Sequence, residues 1–452
     1  MPTSGGALCG DEVAPQSPAS ASPSAAMSCP VPHLVDEILE EIFVHLPTPA
    51  VLARASTACP RFRGIITGRS FLRRYRKRHP PPPLGFAVKG GFHPAQAPHP
   101  STPLARALAD AADFTYSFVP LPSSRPWFPR DLRDGRVLLE RRHVGKIFKS
   151  FVVCDPLSRR FVLLPSIPHD MIHQEEKRPS VIRPMLAPMA MGEQGEDETS
   201  FKVICFADYE TKLVAFVFSS ITQEWCMAAS TSWASLGGCR HECEYLPFSG
   251  CSCFYSASAF VDTLIVLDTR TMEFSTVGGL TGYHEKLRCL PGQAYFGIPG
   301  NNVQRRRPGQ STSPPGIVVD IEGNLEMFCL VGDHSSPNGS FHLYHTTQRN
   351  NGESSKEWQL EKIISLPGGY DYFTAGAAEG FLFLGATTED QLDIGEDSSE
   401  PYWRTGWEVD YFSLEVKTSQ LRKVCRSKRQ FFHDEHALWY FGYPPSLSKP
   451  CV

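Results

Sequence analysis

Apolar residues recur with helical spacing between residues 34 and 79, which predicts a small helical module. In the first helix Leu34, Ile38 and Ile42 follow an i, i+4, i+8 spacing. A second apolar row runs beside them and comprises Val35, Leu39, Phe43 and Leu46. A small helix needs only one such row to sit on its own neighbours. The extra row therefore predicts a binding face.

Prolines divide this segment into further short helices. A residue before a proline is pushed out of the α region, so Pro47 and Pro60 are expected to end the first and second helices. Thr48 is predicted to cap the second helix, and Ser70 a last one. We expect three or four short helices, which are too small to bury much area without a partner.

From about residue 85 the pattern changes to that of strands. Residues 151–154 and 160–165 form two apolar runs around the polar turn Asp155-Pro156-Leu157-Ser158. Comparable units of strand, Asp- or Ser-led turn and shorter aromatic-bearing strand recur along the chain. They are expected at 201–225, 254–277, 317–331, 341–366, 381–384 and 409–424.

This recurrence is typical of a β-propeller or a similar radial array. The irregular spacing does not give the number of blades. A set of β-sandwiches is the alternative, although linkers between sandwiches are hard to find in the sequence. The apolar segment 436–441 is predicted to pair with residues 84–88 and so to close the ring.

The run LVDEILEEIFVHLPTPAVLARASTACPRFRGII resembles an F-box, the helical motif that docks onto the Skp-type adaptor of cullin-based ubiquitin ligases. It is most similar to grass F-box proteins, in which a small all-α F-box precedes a large all-β region. The family usually opens with Leu-Pro, whereas here Val35 follows Leu34, and Val31-Pro32 lies just upstream. A proline at that position would fix the start of the first helix.

The resemblance implies a substrate-recognition subunit of a Skp–cullin–F-box ubiquitin ligase, without catalytic residues of its own. The helices would bind the Skp-type adaptor, and through it a cullin, while the β-domain would bind an unknown substrate protein. Carried over by position, the adaptor face comprises Leu34, Ile38, Leu39, Ile42, Leu46, Pro47 and Leu52. Periodicity alone does not decide which of these side chains face the adaptor and which face inward.

The chain divides into five parts on these grounds. They are a disordered Ala/Ser/Pro-rich leader (1–30), the F-box (31–79), a polyproline spacer (80–84), the β-propeller-like domain (85–445) and a tail (446–452).

Net charge is −4 with a pI near 6.4, so the balance of charge predicts neither nucleic-acid nor membrane binding. The fourteen cysteines follow no secretory signal. We therefore expect a reducing setting in the cytoplasm or nucleus. The basic run 73–79 is either a nuclear address or the solvated face of the last helix, and the second interpretation is favoured. The same holds for the basic run 305–307.

The sequence contains no glycine-rich phosphate loop, G-x-S-x-G elbow or H-E-x-x-H motif. The best metal candidate is a zinc site at Cys239, Cys243, Cys251 and Cys253 with His241, but unconnected thiols are favoured because only the first pair has knuckle spacing. The run 433–436 reads as a polar loop. We expect no catalytic residue, cofactor or metal.

Two rival functions remain. One is a propeller enzyme or small-ligand-binding protein, and residues 370–373 are the candidate segment for its site. The other is a regulatory F-box protein that never ubiquitinates.

Overall fold

A computed structural model describes most of the chain between residues 34 and 442. The described residues are 34–88, 91–120, 126–141, 150–172, 179–187, 200–236, 243–247, 252–258, 261–269, 271–277, 316–319, 325–333, 340–349, 357–388, 408–428 and 438–442. The predicted leader and tail lie outside these residues.

Four short helices form the N-terminal module, as the sequence predicts. They are α1 (Asp36–Val44), α2 (Pro49–Ser56), α3 (Pro60–Ile66) and α4 (Arg69–Arg78). Their core consists of their own side chains, with Leu39, Phe43, Val44, Leu52, Ile66, Phe71, Leu72 and Tyr75 buried. Phe43 contacts both Phe62 and Phe71 edge-on, which joins α1 to α3 and α4.

The predicted cap at Thr48 is confirmed, whereas α1 and α2 each end two or more residues before the expected proline stops, at Val44 and Ser56. Thr48 and Cys59 are the N-caps of α2 and α3, and each precedes a proline in the first turn. The fourth helix begins at Arg69 with Gly68 as its N-cap, so the expected cap at Ser70 is wrong. Only one residue separates α3 and α4 beyond the Thr67 cap, which leaves no extended position for Ser70.

The Thr48 hydroxyl accepts a hydrogen bond from the backbone N–H of Val51 at 3.3 Å. Replacing Thr48 with alanine should reduce the free energy of opening of α2 by about 1 kcal/mol, because a first-turn donor loses its partner. Amide hydrogen exchange across α2 measures this loss. Thr57→Ala is the matched control, since the exposed Thr57 hydroxyl only donates to the Arg54 carbonyl at the end of α2. Equal protection factors in the two variants would contradict the role of the cap.

The described strands form five four-stranded antiparallel blades, arranged as a β-propeller. Blade 1 contains β3 (Phe128–Arg133), β4 (Arg136–Arg141), β5 (Ser150–Asp155) and β6 (Arg160–Leu163). Blade 2 contains β7 (Val181–Leu186), β8 (Lys202–Asp208), β9 (Lys212–Ser219) and β10 (Glu224–Ser232). Blade 3 contains β11 (Cys243–Pro247), β12 (Ser252–Ser258), β13 (Val261–Asp268) and β14 (Glu273–Val277). Blade 4 contains β15 (Gly316–Val319), β16 (Leu325–Asp333), β17 (Ser340–Arg349) and β18 (Glu357–Ser365), and blade 5 contains β19 (Tyr370–Ala378), β20 (Phe381–Thr388), β21 (Glu408–Glu415) and β22 (Gln420–Lys428).

One turn recurs between the third and fourth strands of the blades, and it explains the repeated sequence pattern. Its last residue has a positive φ at Arg159, Gln223, Met272 and Ser419 in blades 1, 2, 3 and 5. In blade 1 the Asp155 carboxylate accepts hydrogen bonds from the N–H groups of the two residues at the turn's centre. An Asp or Ser at the start of the turn therefore has a structural role, which is why the hairpins could be predicted.

The first two and the last of the described strands meet in a three-stranded sheet. Its order is β2 (Gly91–Pro94), β1 (Pro83–Val88) and β23 (Leu438–Phe441). β1 and β23 are antiparallel, with Phe86 opposite Trp439 and Ala87 opposite Leu438. The predicted pairing that closes the ring is thus confirmed. The expected spacer 80–84 is too long, because β1 already begins at Pro83.

Two helices lie within the region that was predicted as all-β. α5 (Thr102–Ala111) packs on β1 and β2, with Ala105 and Leu108 buried in the core of the closing sheet. α6 (His169–Ile172) is a single turn after blade 1.

Candidate functional site

An exposed apolar row follows the length of α1. It consists of Val35, Ile38 and Ile42, whose exposed fractions are 54%, 48% and 48%. These positions are spaced i, i+3, i+7 and so share one face of the helix. The neighbouring row with Leu39 and Phe43 is buried in the module's own core. One core row and one surface row are therefore present, but their members differ from the prediction: Val35 joins Ile38 and Ile42 at the surface, whereas Leu34 packs against the core.

The predicted adaptor face is only partly exposed. Ile38, Ile42 and Pro47 are exposed, and Leu34 and Leu46 are half-buried. Leu39 and Leu52 are buried in the core of the module, so their assignment to a surface is corrected. They lie inward because α1 and α2 turn these positions toward α3 and α4. Val35 was missing from the predicted set, although it lies next to Ile38 and Ile42 on the same face.

Two arginines hold α1 in place. Arg61 of α3 donates to the Asp36 carboxylate at 2.7 and 2.9 Å and to the Leu34 carbonyl at 2.6 Å. Arg74 of α4 donates to Glu40 at 3.1 Å and to Glu41 at 2.6 Å. Exposed ion pairs of this kind contribute little stability. Their geometric effect is to fix the helix that carries the exposed row.

Three residues of the basic run 73–79 contact other parts of the helical module. Arg74 pairs with α1, the Tyr75 ring is buried, and His79 Nε2 lies 2.9 Å from the Val44 carbonyl. Burial raises the pKa of Tyr75 to about 12. These three side chains join the last helix to the first, which the interpretation of the run as a solvated face did not predict.

Residues 370–373 belong to β19, and their side chains face alternate sides of the sheet. This is the segment in which the sequence suggested a small-ligand site. The Tyr372 ring is buried, and its hydroxyl donates to the Pro367 carbonyl at 3.0 Å. Burial raises the pKa of this tyrosine, and the neighbouring Tyr370 and then Asp410 raise it further. The Phe373 ring lies against the Gly385 backbone, where a Cβ atom would come within 2.1 Å of the ring. These aromatic groups are therefore used in packing.

Asp410 anchors a charged cluster beside this strand. Its buried carboxylate accepts hydrogen bonds from Lys423 at 2.7 Å and from Arg426 at 2.6 and 3.0 Å, and the Tyr370 hydroxyl lies 3.4 Å away. Burial alone would raise the pKa of Asp410, but the bonds from Arg426 and Lys423 lower it overall. Glu408 also accepts from Arg426 at 3.4 Å, so two carboxylates balance the two cations within blade 5.

Within the part of the chain that the structure describes, no three His, Cys, Asp or Glu side chains are placed to hold a metal ion. Of the proposed zinc ligands, Cys239, His241 and Cys251 lie outside the described residues, as does the run 433–436. Cys243 and Cys253 are described only as positions on β11 and β12. None of the described helices combines the length and apolar character needed to cross a bilayer.

No protein-family model and no curated protein matches the chain. Among solved structures it is similar to a prolyl endopeptidase, with 12% identity, a TM-score of 0.29 and coverage of 77% of this chain and 46% of the other. It is also similar to TolB from Acinetobacter baumannii (8% identity, TM-score 0.26, coverage 60% and 53%) and to an endo-arabinase from Bacteroides thetaiotaomicron (12% identity, TM-score 0.29, coverage 60% and 92%). The chain spans about half the length of the first two proteins. TM-scores and identities this low carry no argument about activity.

Proposed function

We propose that this chain is the substrate-recognition subunit of a Skp–cullin–F-box type ubiquitin ligase, acting in the cytoplasm or nucleus. The N-terminal helices bind a Skp-type adaptor, and the propeller binds the substrate protein. The observation that carries the proposal is the exposed row Val35, Ile38 and Ile42 on a helix whose other apolar row already fills a core. It agrees with the F-box resemblance of the same residues.

The α1 row suits a protein partner for a physical reason. Three neighbouring aliphatic side chains left in water cost free energy that a complementary apolar surface recovers, at about 25 cal/mol per Å². The helix is already ordered by the packing of Leu39 and Phe43 in the core of the module, so little conformational entropy is lost when a partner docks.

The propeller fits the second half of the proposal. Its blades form a rigid scaffold, and loops on one face of such a scaffold vary without disturbing the strands. The chain would contribute proximity and orientation of the substrate to catalysis that other subunits perform.

Ile42→Asp is the decisive variant. It places a carboxylate in the middle of the proposed interface, while the exposed position leaves the core intact. We expect binding of the full chain to a purified Skp-type adaptor to weaken by about 10- to 100-fold, because a buried isoleucine contributes about 1.5–3 kcal/mol. Surface-immobilised adaptor with the full chain in solution gives the dissociation constant.

Ile221→Asp is the matched control. Ile221 is 59% exposed in the turn before β10, in a different part of the molecule. Its variant should bind the adaptor as tightly as the native chain. The proposal fails if the native chain does not bind, or if the two aspartate variants bind equally.

A further inference from the structure

Arg141, the last residue of β4, is a buried arginine with two unsatisfied guanidinium nitrogens. The residue is only 7% exposed. Its Nε and Nη1 atoms are buried and have no hydrogen-bond acceptor. Among the described residues, its guanidinium lies over the Trp127 ring, with Cζ 5.0 Å from the ring centroid. This arginine therefore stacks on an aromatic ring while hydrogen-bonding capacity goes unused.

The strand register explains why no carboxylate of β4 reaches this group. Side chains alternate, so Arg141 shares its face with Val137 and Leu139, which are fully buried. Glu140 points to the opposite face and pairs there with Arg130, with an N–O distance of 3.1 Å. The guanidinium thus lies at the end of an apolar wall that Val152 and Cys154 extend.

Arg136, on the same strand, shows what a satisfied buried arginine looks like in this blade. It is 3% exposed and lies 6.0 Å from the Phe201 ring, and it also donates to the Ser200 carbonyl at 3.0 Å. Leaving a buried charge unpaired is strongly unfavourable, so unpaired ions are rare in protein interiors. The described residues place no such acceptor beside Arg141 Nε and Nη1, and the contrast with Arg136 points to a ligand that supplies one.

We propose that Arg141 is the centre of an oxyanion-binding site, which takes the carboxylate or phosphate group of a ligand. Both groups accept two parallel hydrogen bonds from a guanidinium. Trp127 supports the plane of the cation from one side. The hydroxyl of Tyr116, in the same apolar cluster, is a second buried group without a partner. This site does not depend on the proposed role in ubiquitination.

The test is thermal unfolding of the full chain in sodium phosphate, in sodium succinate, and in sodium chloride of equal ionic strength. We expect at least one of the two oxyanions to raise the midpoint saturably, by about 2 °C or more relative to chloride. A rise with phosphate only, or with succinate only, identifies which group the site prefers.

Two arginine variants separate binding from structure. Arg141→Met should be at least as stable as the native chain without oxyanion, because it removes an uncompensated charge, and it should lose the oxyanion effect. Arg136→Met should be less stable but should keep that effect. Arg141→Lys keeps the positive charge but lacks the planar guanidinium, so it should weaken the stabilisation by oxyanion. This variant tests the proposal if the methionine variant does not fold.

The inference is overturned if neither oxyanion stabilises the native chain beyond chloride. It is equally overturned if Arg141→Met responds to them as the native chain does, since the stabilisation would then arise elsewhere. No adaptor is present in these measurements, so their failure leaves the proposed function standing.

Discussion

Replacing Trp439 with alanine is expected to lower the free energy of unfolding of the propeller by about 3–5 kcal/mol. The Trp439 ring is buried in the closing sheet and stacks on Phe383 of blade 5, with centroids 3.6 Å apart. It also contacts Phe86 of β1 at 5.3 Å, and its Nε1 donates to the Ala375 carbonyl at 3.4 Å. One side chain therefore joins the last strand, the first strand and the neighbouring blade. Urea unfolding followed by circular dichroism of the strands measures the loss.

Two further variants define the origin of this effect. Trp439→Phe keeps a ring against Phe383 and should lose much less, whereas Ile221→Ala, at an exposed turn, should change stability by less than about 0.5 kcal/mol. Hydrogen exchange should accelerate first at the amides that join β1 and β23. A loss below about 1 kcal/mol in the alanine variant would mean that the ring does not depend on this contact.

Stability should fall by about 3 kcal/mol between pH 6.5 and pH 4 because of His99. This buried histidine lies between α5 and blade 5: its Nδ1 accepts from the Ser101 N–H at 3.2 Å, and its Nε2 lies 3.5 Å from the Ser413 hydroxyl. Burial first, and the positive charge of Arg422 second, lower its pKa from 6.5 to about 4. The unfolded chain binds a proton near pH 6.5 and the folded chain does not. The stabilisation is therefore complete above pH 6.5 and is lost as the pH falls toward 4.

His99→Asn should flatten this part of the pH profile, since the amide oxygen can still accept from Ser101 but does not titrate. A smaller slope should persist, because burial also lowers the pKa of His93. Chemical unfolding at several pH values gives both slopes, and parallel profiles for native and His99→Asn chains would refute the assignment.

The features that the sequence predicts well are those with local causes. Pro47 and Pro60 separate the helices because the residue before a proline cannot stay helical, whatever the tertiary structure. The Asp-led hairpin turns are set by hydrogen bonds within five residues. The closure of β1 on β23 could be predicted because two apolar segments stood at the ends of an array that needs no free edge.

The sequence does not determine which face of a helix or strand packs against a neighbouring element. Ile38 and Leu39 are adjacent aliphatic residues, and only the packing of α3 and α4 makes one exposed and the other buried. The sequence did contain a signal for α5, because Ser101 and Pro103 precede an alanine-rich run. It also contained a signal for the first hairpin, the Asp134-Gly135 turn, where both residues have positive φ. That hairpin sets Trp127 one position beyond the Phe128–Glu140 pair and hence beside Arg141.

The pairing of β1 with β23 also sets the order in which a growing chain becomes complete. The four helices have their own core and leave the ribosome first, whereas β1 follows them and waits for a partner strand from the far end of the chain. A product that stops before Leu438 would keep the helical module and present β1 with an unpaired edge. Such an edge is a template for pairing with other chains. Premature termination before Leu438 should therefore yield an aggregation-prone product with intact helices, and not merely a shorter version of the same fold.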